Sequence, residues 1–371
     1  KVWKPNVRAM SKNWLDMGLR PRAVTRDIEW GITIPLEGED WQSKRVYVWF
    51  EAVQGYYSCA RIWASRIAST AGHPDGEDAW KKWWQVSDTG ESPKHIYFMG
   101  KDNIPFHTII WPAIIMGLNA SKSSEVSHLA GPGDLVLEDN VSANEYLMLQ
   151  GGQFSKSRKH AVWLPSYLEQ YDADSLRYYL SINMPETHDT DFRWDEYVDR
   201  VNNELIGTYG NFVHRVMTLA HRLECGEGNP LSKYDRFSDH SKILKEVDNQ
   251  ISSAIESMEK QRFKEALRSI MGIAQIGNSL LQEAAPWKYI NEDESDERST
   301  SLSSLSLSWR ICSCLAVCMR PFTPFSSDRL WEMLGNQNDI DNVLWEDSMD
   351  VDTTLFWNQE TPEPLFSRLE L

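Results

Sequence analysis

The second half of the chain carries apolar side chains at helical spacing, and this pattern limits the possible fold more than any other feature. From Asp195 onward, large apolar residues recur three or four positions apart, which places them on one face of a helix. Two stripes consist of Val198, Val201, Leu205, Tyr209, Phe212, Val216 and Leu219, and of Ile243, Leu244, Val247, Ile251, Ile255 and Met258. A third runs from Phe263 to Leu281 and is stopped by Pro286, and a fourth ends near Met319. Such stripes must be buried against one another, so the sequence predicts an antiparallel helix bundle.

Residues 1–150 have a different pattern, in which strand-like runs alternate with helical ones. Residues 44–50 and 95–99 are rich in aromatic and β-branched side chains, as buried strands are. Residues 52–70 and 105–116 have helical character. This alternation indicates a parallel, doubly wound sheet of the Rossmann type. The predicted fold class is therefore α/β followed by an all-α bundle.

The patterns divide the chain into four segments. We expect the α/β part in residues 1–150, a basic loop and a compact segment in 151–194, the bundle in 195–349 and a tail in 350–371. The acidic residues 291–300 predict a solvated loop within the bundle. The tail is too apolar for a free disordered segment, so we expect it to pack back onto the body. Its large apolar residues are Leu355, Phe356, Trp357, Pro364, Leu365 and Phe366.

The charge and hydropathy of the chain narrow the classes of partner. The formal net charge is −16, which argues against broad electrostatic attraction to nucleic acid. An RNA partner would have to be held by local basic patches. No uninterrupted apolar run approaches the roughly 20 residues that span a bilayer, so we expect no membrane association and a cytoplasmic location. The chain begins at Lys1 without a signal-like segment, and we expect it to begin inside a longer protein.

The five cysteines predict no disulfide framework, which favours a reducing compartment. Cys312, Cys314 and Cys318 are close in sequence but lie in an apolar run of helical character. No CxxC pair or histidine accompanies them. We interpret them as buried core thiols and predict no metal site in this chain.

The segment Gly151–Lys159 is the most informative motif for chemistry. Its glycines permit the backbone conformations of a mobile loop. Three positive charges fall within four positions, at Lys156, Arg158 and Lys159, and Ser155 and Ser157 add hydroxyl groups. This combination suits a polyphosphate whose charge grows at the leaving group during reaction. A solvated basic hairpin is the alternative, and the residues alone favour neither.

The same loop is similar to the KMSKS signature of class I aminoacyl-tRNA synthetases. Lys156 stands at the second lysine of the signature. Gln153 stands at the first lysine and Phe154 at the methionine, which resembles the archaeal and eukaryotic branch. The missing first lysine would weaken stabilisation of pyrophosphate.

Further segments resemble the methionyl-tRNA synthetase family within that class, from about residue 10 to at least residue 290. They are residues 13–27, 30–35, 48–56, 100–112, 172–180 and 185–192. Val53 departs from the family, since bacterial members usually carry proline there. A class I synthetase specific for leucine, isoleucine, valine or cysteine is one alternative. A non-catalytic RNA-binding or assembly module is another.

The resemblance implies a methionine pocket formed by Trp49, Ala52, Tyr56 and His107. Aromatic walls suit a thioether through sulfur–ring contacts, and His107 adds a polar group. Phe106 and Trp111 would complete the walls. Without the resemblance, the tryptophans would be core aromatics and His107 a buried histidine with satisfied hydrogen bonds.

Asp102 follows the predicted strand 95–99, where ligands of doubly wound sheets gather. We assign it to ATP binding, since its carboxylate can accept hydrogen bonds from ribose hydroxyls or a substrate amine. The alternative is a helix N-cap for the segment that begins near Pro105. Lys156, Ser155, Ser157 and Arg158 complete the ATP-binding residues that the resemblance implies, with Lys156 catalytic.

In the bundle, Asn211 and Arg215 lie four residues apart and so share one helix face. Trp287 follows Pro286 at a helix end, where its ring can serve as a stacking platform. Base stacking beside polar side chains is how single-stranded RNA is recognised. The resemblance implies that these three residues bind the anticodon. A solvated Asn–Arg pair and a packed tryptophan are the alternative.

The resemblance also implies substrates and missing parts. ATP with Mg²⁺, L-methionine and tRNA-Met are the expected cofactor and partners. The HIGH signature of class I and the zinc-bearing connective peptide of the family are not found, and both normally precede the position of Lys1. We therefore expect zinc only in that preceding part, and we expect the 371-residue chain alone to form no methionyl-adenylate.

Overall fold

The computed structural model describes residues 3–70, 72–121, 130–223, 231, 234, 240–336, 338–351 and 362–370, with the side chains of 68–70 left aside. The chain forms two units. The first unit comprises residues 1–146 and 186–188, and the second comprises 147–185 and 189–371. The finer division into a loop segment and a tail stays a prediction.

The first unit mixes short strands with helices. Its helices are α1 (Pro5–Asp16), α2 (Glu39–Gln42), α3 (Val48–Ala52), α4 (Gly55–Thr70), α5 (Lys81–Trp84) and α6 (Trp111–Ala120). Its strands are β1 (Thr25–Asp27), β2 (Lys44–Val46), β3 (Ile96–Gly100) and β4 (Asn140–Asn144). The pair β1–β2 is antiparallel, and β3–β4 is parallel with Gly100 opposite Asn144. Side chains that follow β3 and β4 therefore emerge at one edge, as expected for a doubly wound fold.

The prediction of a strand over residues 44–50 is wrong in its second half. The strand ends at Val46, and α3 begins at Val48. Its partner β1 is only three residues long, so the ladder gives no further pairing to hold the aromatic residues extended. Tyr47 instead packs its ring 3.7 Å from the guanidinium carbon of Arg26. Trp49 consequently lies in a short helix rather than at the end of a strand.

The second unit is the predicted bundle, preceded by a small parallel strand pair. Its helices are α7 (Leu164–Leu168), α8 (Ala173–Ile182), α9 (Trp194–Arg200), α10 (Asn211–His221), α11 (Ser241–Glu259), α12 (Phe263–Ala284), α13 (Asp296–Met319) and α14 (Pro324–Met333). Its strands are β5 (Leu147–Leu149) and β6 (Thr190–Phe192). A π-helical stretch, Val201–Gly210, joins α9 to α10 without a break. All four stripes predicted from the sequence coincide with these helices.

The acidic loop predicted over residues 291–300 is too long, because α13 already begins at Asp296. Ser295 supplies the N-cap, and its hydroxyl accepts a hydrogen bond from the Arg298 amide at 3.1 Å. The negative charges of Asp296 and Glu297 in the first turn stabilise the helix, because they lie near the positive end of its dipole. The acidic composition that suggested a solvated loop is here a helix start.

Helix α13 forms the middle of the bundle, packed against α10, α12 and α14. By length and composition α13 could cross a membrane, and it is the one such helix among the described residues. However, 89% of its most apolar 18-residue stretch is buried inside the protein, as in a core helix. Cys312, Cys314 and Cys318 are buried in it, and burial raises the pKa of the Cys312 thiol. The prediction of core thiols is confirmed; Cys225 lies outside the described residues.

The described part of the tail packs on the bundle. Leu365, Phe366 and Leu369 are buried in the bundle core. Asn202 holds the backbone of Leu369 through two hydrogen bonds of 2.9 Å, one donated by its amide and one accepted. Leu355, Phe356 and Trp357 lie outside the described residues.

Gly277 in α12 marks a close contact that tests the packing of the bundle. A β-carbon at this position would lie 2.3 Å from Cζ of the buried Phe212, well inside contact distance. We expect Gly277→Ala to destabilise the chain by about 1–3 kcal/mol, although alanine favours helices. Urea denaturation measures this loss as a lower midpoint of the unfolding transition of the bundle.

Gly272→Ala is the matched control, since it makes the same change in the same helix. There the new carbon would meet the amide end of Gln250 at 3.1 Å, and a flexible side chain can move away. We expect an unchanged or higher midpoint. Equal destabilisation by the two variants would contradict the packing of Phe212 against Gly277.

Candidate functional site

Both ring nitrogens of His107 are engaged in the first unit. His107 lies in a π-helical turn, Phe106–Ile110, and is 7% exposed. Its Nδ1 is 2.9 Å from the Asn103 carbonyl, and its Nε2 is 3.0 Å from the Tyr56 hydroxyl. A carbonyl oxygen only accepts, so Nδ1 carries the proton and Nε2 accepts the O–H of Tyr56. Burial lowers the pKa of His107, and the hydrogen bond to Asn103 only partly opposes this shift. The lowered pKa keeps the imidazole neutral.

Aromatic rings surround this histidine. The ring centre of Tyr56 lies 5.7 Å from that of His107, and Trp49 lies 5.6 Å from Phe106. Trp49 and Tyr56 remain 48% and 44% exposed, so their faces are accessible to a ligand. Ala52 is exposed in α3, three residues after Trp49 and therefore on the same side of the helix. Exposed ring faces beside a neutral polar group suit an apolar, polarizable side chain.

Tyr97 supports the two polar residues of this pocket, and the sequence analysis missed it. Its ring centre lies 5.2 Å from that of Tyr56 and 5.6 Å from that of His107. The buried Trp111 donates its indole N–H to the Tyr97 hydroxyl at 3.0 Å, while burial raises the pKa of Tyr97 to about 12. Trp111 is thus a core aromatic. The alternating pattern of β3 was the available signal, since Tyr97 is its buried position.

Phe106 is shared between this pocket and a neighbouring cavity. The cavity has a volume of about 730 Å³ and is lined mostly by apolar residues of the first unit. The Arg22 guanidinium lies 5.8 Å from the ring centre of Phe106 and 5.9 Å from that of Trp14. Contacts of this kind are cation–π interactions, so Arg22 places a positive charge against an apolar wall.

Asp102 lies just beyond the carboxyl end of β3, in a 3-10 turn formed by Lys101–Asn103. The Tyr146 hydroxyl, from the residue pair that follows β4, donates to both carboxylate oxygens at 2.6 and 2.7 Å. Among the described residues, neither this turn nor the π-helical turn after it has a side-chain cap, so the N-cap alternative is wrong.

An ion pair fixes the residues that directly precede Asp102 and Tyr146. Lys101 forms an ion pair of 2.6 Å with Glu145, and its ammonium lies 4.0 Å from the ring centre of Tyr146. Asn6 donates to the second carboxylate oxygen of Glu145 at 2.8 Å. The carboxylate of Asp102 is therefore held by a polar network at an edge where ligands bind in such folds. Glu145 and Tyr146 gave no signal in the sequence, because their role depends on strand pairing.

The basic loop of the second unit consists of two successive turns, 149–152 and 155–160. Leu149 and Gly152 exchange backbone hydrogen bonds of 2.7 and 2.9 Å, and so do Ser155 and His160 at 2.9 Å. The second turn exposes Lys156, Ser157, Arg158 and Lys159 to solvent. The Ser155 hydroxyl accepts the Arg158 amide at 3.3 Å and lies 3.2 Å from the Ser157 hydroxyl. The Ser155 hydroxyl, which was predicted to bind phosphate, thus also stabilises the turn itself.

Arg215 and Trp287 meet on the bundle surface, as the predicted RNA site requires. The Arg215 guanidinium lies 5.4 Å from the ring centre of Trp287, which is 37% exposed. Asn278 accepts a hydrogen bond from Arg215 at 3.3 Å and donates to the carbonyls of Thr208 and Ala274 at 3.0 Å. Sequence analysis missed Asn278, although it is a polar residue within the third apolar stripe. Asn211 lies exposed one turn before Arg215.

The predicted residues fall into both units. The amino-acid pocket and Asp102 belong to the first unit, and Lys156, Asn211, Arg215 and Trp287 belong to the second. Within the described part of the chain, no group of three or more His, Cys, Asp or Glu side chains is arranged to hold a metal ion. The basic loop contains no carboxylate, so it does not fit Mg²⁺.

Comparisons with known proteins agree on one family. Residues 1–217 match the family described as tRNA synthetases class I (M). Residues 235–370 match the anticodon binding domain of methionyl tRNA ligase.

Curated relatives are similar over most of this chain. It is 40% identical over 339 residues to a methionine–tRNA ligase of Roseiflexus sp. (strain RS-1), covering 91% of this chain and 52% of the relative. It is 39% identical over 368 residues to that of Dehalococcoides mccartyi, covering 99% and 60%. The chain thus spans about half the length of the curated relatives it matches.

Solved structures share the fold. The chain superposes on the free methionyl-tRNA synthetase of Mycobacterium tuberculosis with a TM-score of 0.72 at 19% identity, covering 100% of this chain and 64% of the other. A structure of that enzyme bound by methionyl-adenylate gives a TM-score of 0.74 at 19% identity, with 98% and 64% covered. The predicted fold class, a Rossmann-type part followed by a helix bundle, is confirmed.

Proposed function

The chain belongs to the class I tRNA synthetases of the methionyl type, and on this premise we propose that its protein is a methionine–tRNA ligase. In the proposed reaction, the methionine carboxylate attacks the α-phosphate of ATP, which forms methionyl-adenylate and releases pyrophosphate. The methionyl group then passes to a ribose hydroxyl of the terminal adenosine of tRNA-Met, which releases AMP. Little covalent chemistry falls to the protein, so positioning and charge stabilisation carry the rate.

The observation that best supports methionine is the neutral His107 among aromatic rings. Because Nε2 accepts the Tyr56 O–H, the Tyr56 oxygen keeps its lone pairs as acceptors for a ligand. Trp49 and Tyr56 offer ring faces to the thioether, and Ala52 leaves room beside them. A pocket with a charged or strongly polar wall would instead suit another amino acid.

The other residues take roles that follow from their surroundings. Asp102 is an acceptor for ribose hydroxyls or the methionine amine, with Tyr146 holding its carboxylate. Lys156, with Arg158 as a weaker contributor, neutralises the triphosphate as charge moves to the pyrophosphate. Asn211, Arg215 and Trp287 bind the anticodon by stacking and hydrogen bonding.

Amino-acid-dependent exchange of labelled pyrophosphate into ATP tests the function. We expect the full gene product to exchange with methionine and not with leucine, isoleucine, valine or cysteine. The 371-residue chain by itself should show no exchange. Exchange driven by another amino acid would support a sister synthetase. RNA binding without any exchange would support a non-catalytic module.

The hydrogen bond between Tyr56 and His107 makes a sharper prediction for the pocket. Tyr56→Phe keeps the ring but leaves Nε2 of the buried His107 without its donor. Since an unsatisfied buried acceptor costs about 1–3 kcal/mol, we expect the KM for methionine to rise roughly tenfold. The KM for ATP should stay within about twofold. Steady-state exchange kinetics measure both.

Tyr57→Phe is the matched control for this variant. Tyr57 follows Tyr56 in the first turn of α4, but its ring packs on Trp80 and Trp84 instead of on His107. We expect unchanged kinetics. A normal methionine KM in Tyr56→Phe would remove His107 from the proposed contact.

A further inference from the structure

The base of the basic loop is fixed by a carboxylate that the sequence analysis did not single out. The Gly151 amide donates to both carboxylate oxygens of Asp191, at 3.0 and 2.9 Å. Gly151 has a φ of +77° and follows Gln150 at +49°, so the chain reverses within two residues. Such positive φ values favour a tight reversal. The Asp191 carboxylate binds the backbone amide of Gly151 at this reversal.

Asp191 is itself held on a strand beside the loop. It is the middle residue of β6, which pairs in parallel with β5 directly before the loop. The backbone amide of Gln150 also donates to the Phe192 carbonyl at 2.9 Å. Asn183 donates its side-chain amide to the Asp191 carbonyl at 2.8 Å. The carboxylate therefore projects from a fixed backbone.

The far side of the loop returns to the same base. The Nε2 of His160 lies 2.7 Å from the Leu149 carbonyl and must donate to it, because a carbonyl only accepts. A β-carbon at Gly152 would lie 3.0 Å from that nitrogen. The His160 end of the basic turn is thus tied to the short segment 149–152, and Asp191 ties that segment to β6.

We infer that Asp191 is a positioning residue, which sets where the basic turn carries Lys156 and Arg158. Its carboxylate fixes the base of the loop, and the turn beyond is held by its own hydrogen bonds and by the contact of His160 with the Leu149 carbonyl. The use of this position for ATP rests on the proposed function. The anchoring of the loop does not.

Limited trypsin digestion of the 371-residue chain tests the anchoring, because Lys156, Arg158 and Lys159 are trypsin sites within the loop. A protease needs an extended segment, so cleavage follows the population of the opened loop. We expect Asp191→Ala to raise the cleavage rate at these sites at least about tenfold, since hydrogen bonds to charged groups contribute strongly. Asp191→Asn keeps an acceptor oxygen and should restore the rate to within about threefold. Mass spectrometry of the fragments gives both rates.

Asp199→Ala is the control, since it removes an equal charge from an exposed position on α9 in the same unit. It should leave loop cleavage unchanged. Wild-type cleavage in Asp191→Ala would overturn the inference. So would failure of Asp191→Asn to restore protection while its circular dichroism is native.

Hydrogen exchange covers the case in which Asp191→Ala does not fold. In the unsubstituted chain, the Gly151 amide should exchange at least about tenfold more slowly than in an unstructured peptide. Exchange at the unstructured rate would overturn the inference. The effect of Lys156→Ala on pyrophosphate exchange tests the proposed function alone. The proposed function and the anchoring by Asp191 can therefore fail separately.

Discussion

Replacement of Lys156 by alanine should lower the rate of pyrophosphate exchange by the full gene product on the order of 100–1,000-fold. Lys156 lies exposed on the second turn of the basic loop, where its ammonium can meet the phosphate that leaves. Removing one preorganised group that stabilises transition-state charge has effects of this size. Because the charge grows during the reaction, we expect the loss mainly in kcat, with the KM for methionine nearly unchanged.

Two further variants make the result for Lys156 specific. Lys242→Ala removes the same charge from a side chain that is 90% exposed on α11, and it should leave exchange intact. Lys156→Arg keeps the charge but changes its geometry, so it should recover only part of the rate. Activity of Lys156→Ala within about threefold of the unsubstituted enzyme would contradict the assignment.

Replacement of Trp287 by alanine should weaken binding of an anticodon stem-loop to the 371-residue chain roughly tenfold to a hundredfold. Stacking of one base on an aromatic ring contributes about 1–3 kcal/mol. The variant also removes the ring against which the Arg215 guanidinium rests. Fluorescence anisotropy with a stem-loop that carries the anticodon CAU gives the Kd at fixed salt.

Trp30→Ala is the matched control, because Trp30 is 85% exposed in the first unit. It should bind the stem-loop normally. A stem-loop with an altered anticodon should bind the unsubstituted chain and Trp287→Ala about equally weakly. If Trp287→Ala binds the CAU loop as tightly as the unsubstituted chain does, the RNA site lies elsewhere.

Sequence reasoning succeeds where local spacing decides the structure. The stripes from Val198 to Met319 became helices at nearly the expected bounds because each buries one continuous apolar face. The meeting of Arg215 and Trp287 was anticipated through family resemblance rather than from spacing. Spacing could relate Arg215 to Asn211, four residues away, but not to a residue on another helix.

The remaining features depend on pairing between distant segments. Residues 44–50 have strand composition, yet the short partner β1 limits pairing to three residues. Tyr146 acquires its role only because β3 and β4 lie side by side. Asn278 and Asp191 likewise act on backbone or side chains far away in sequence. Propensity and periodicity carry no information on such partners, so these residues emerge only from the fold.

The central place of α13 has a consequence for synthesis of the protein on the ribosome. The helices α10, α12 and α14 all pack on α13, yet α10 and α12 emerge first. At roughly 5–20 residues per second, the apolar face of α12 waits about 2–7 s and that of α10 about 5–20 s for the segment that covers them. A nascent chain arrested before Asp296 would therefore hold a hollow bundle, prone to aggregate or to recruit chaperones, whereas one released after Met333 could close.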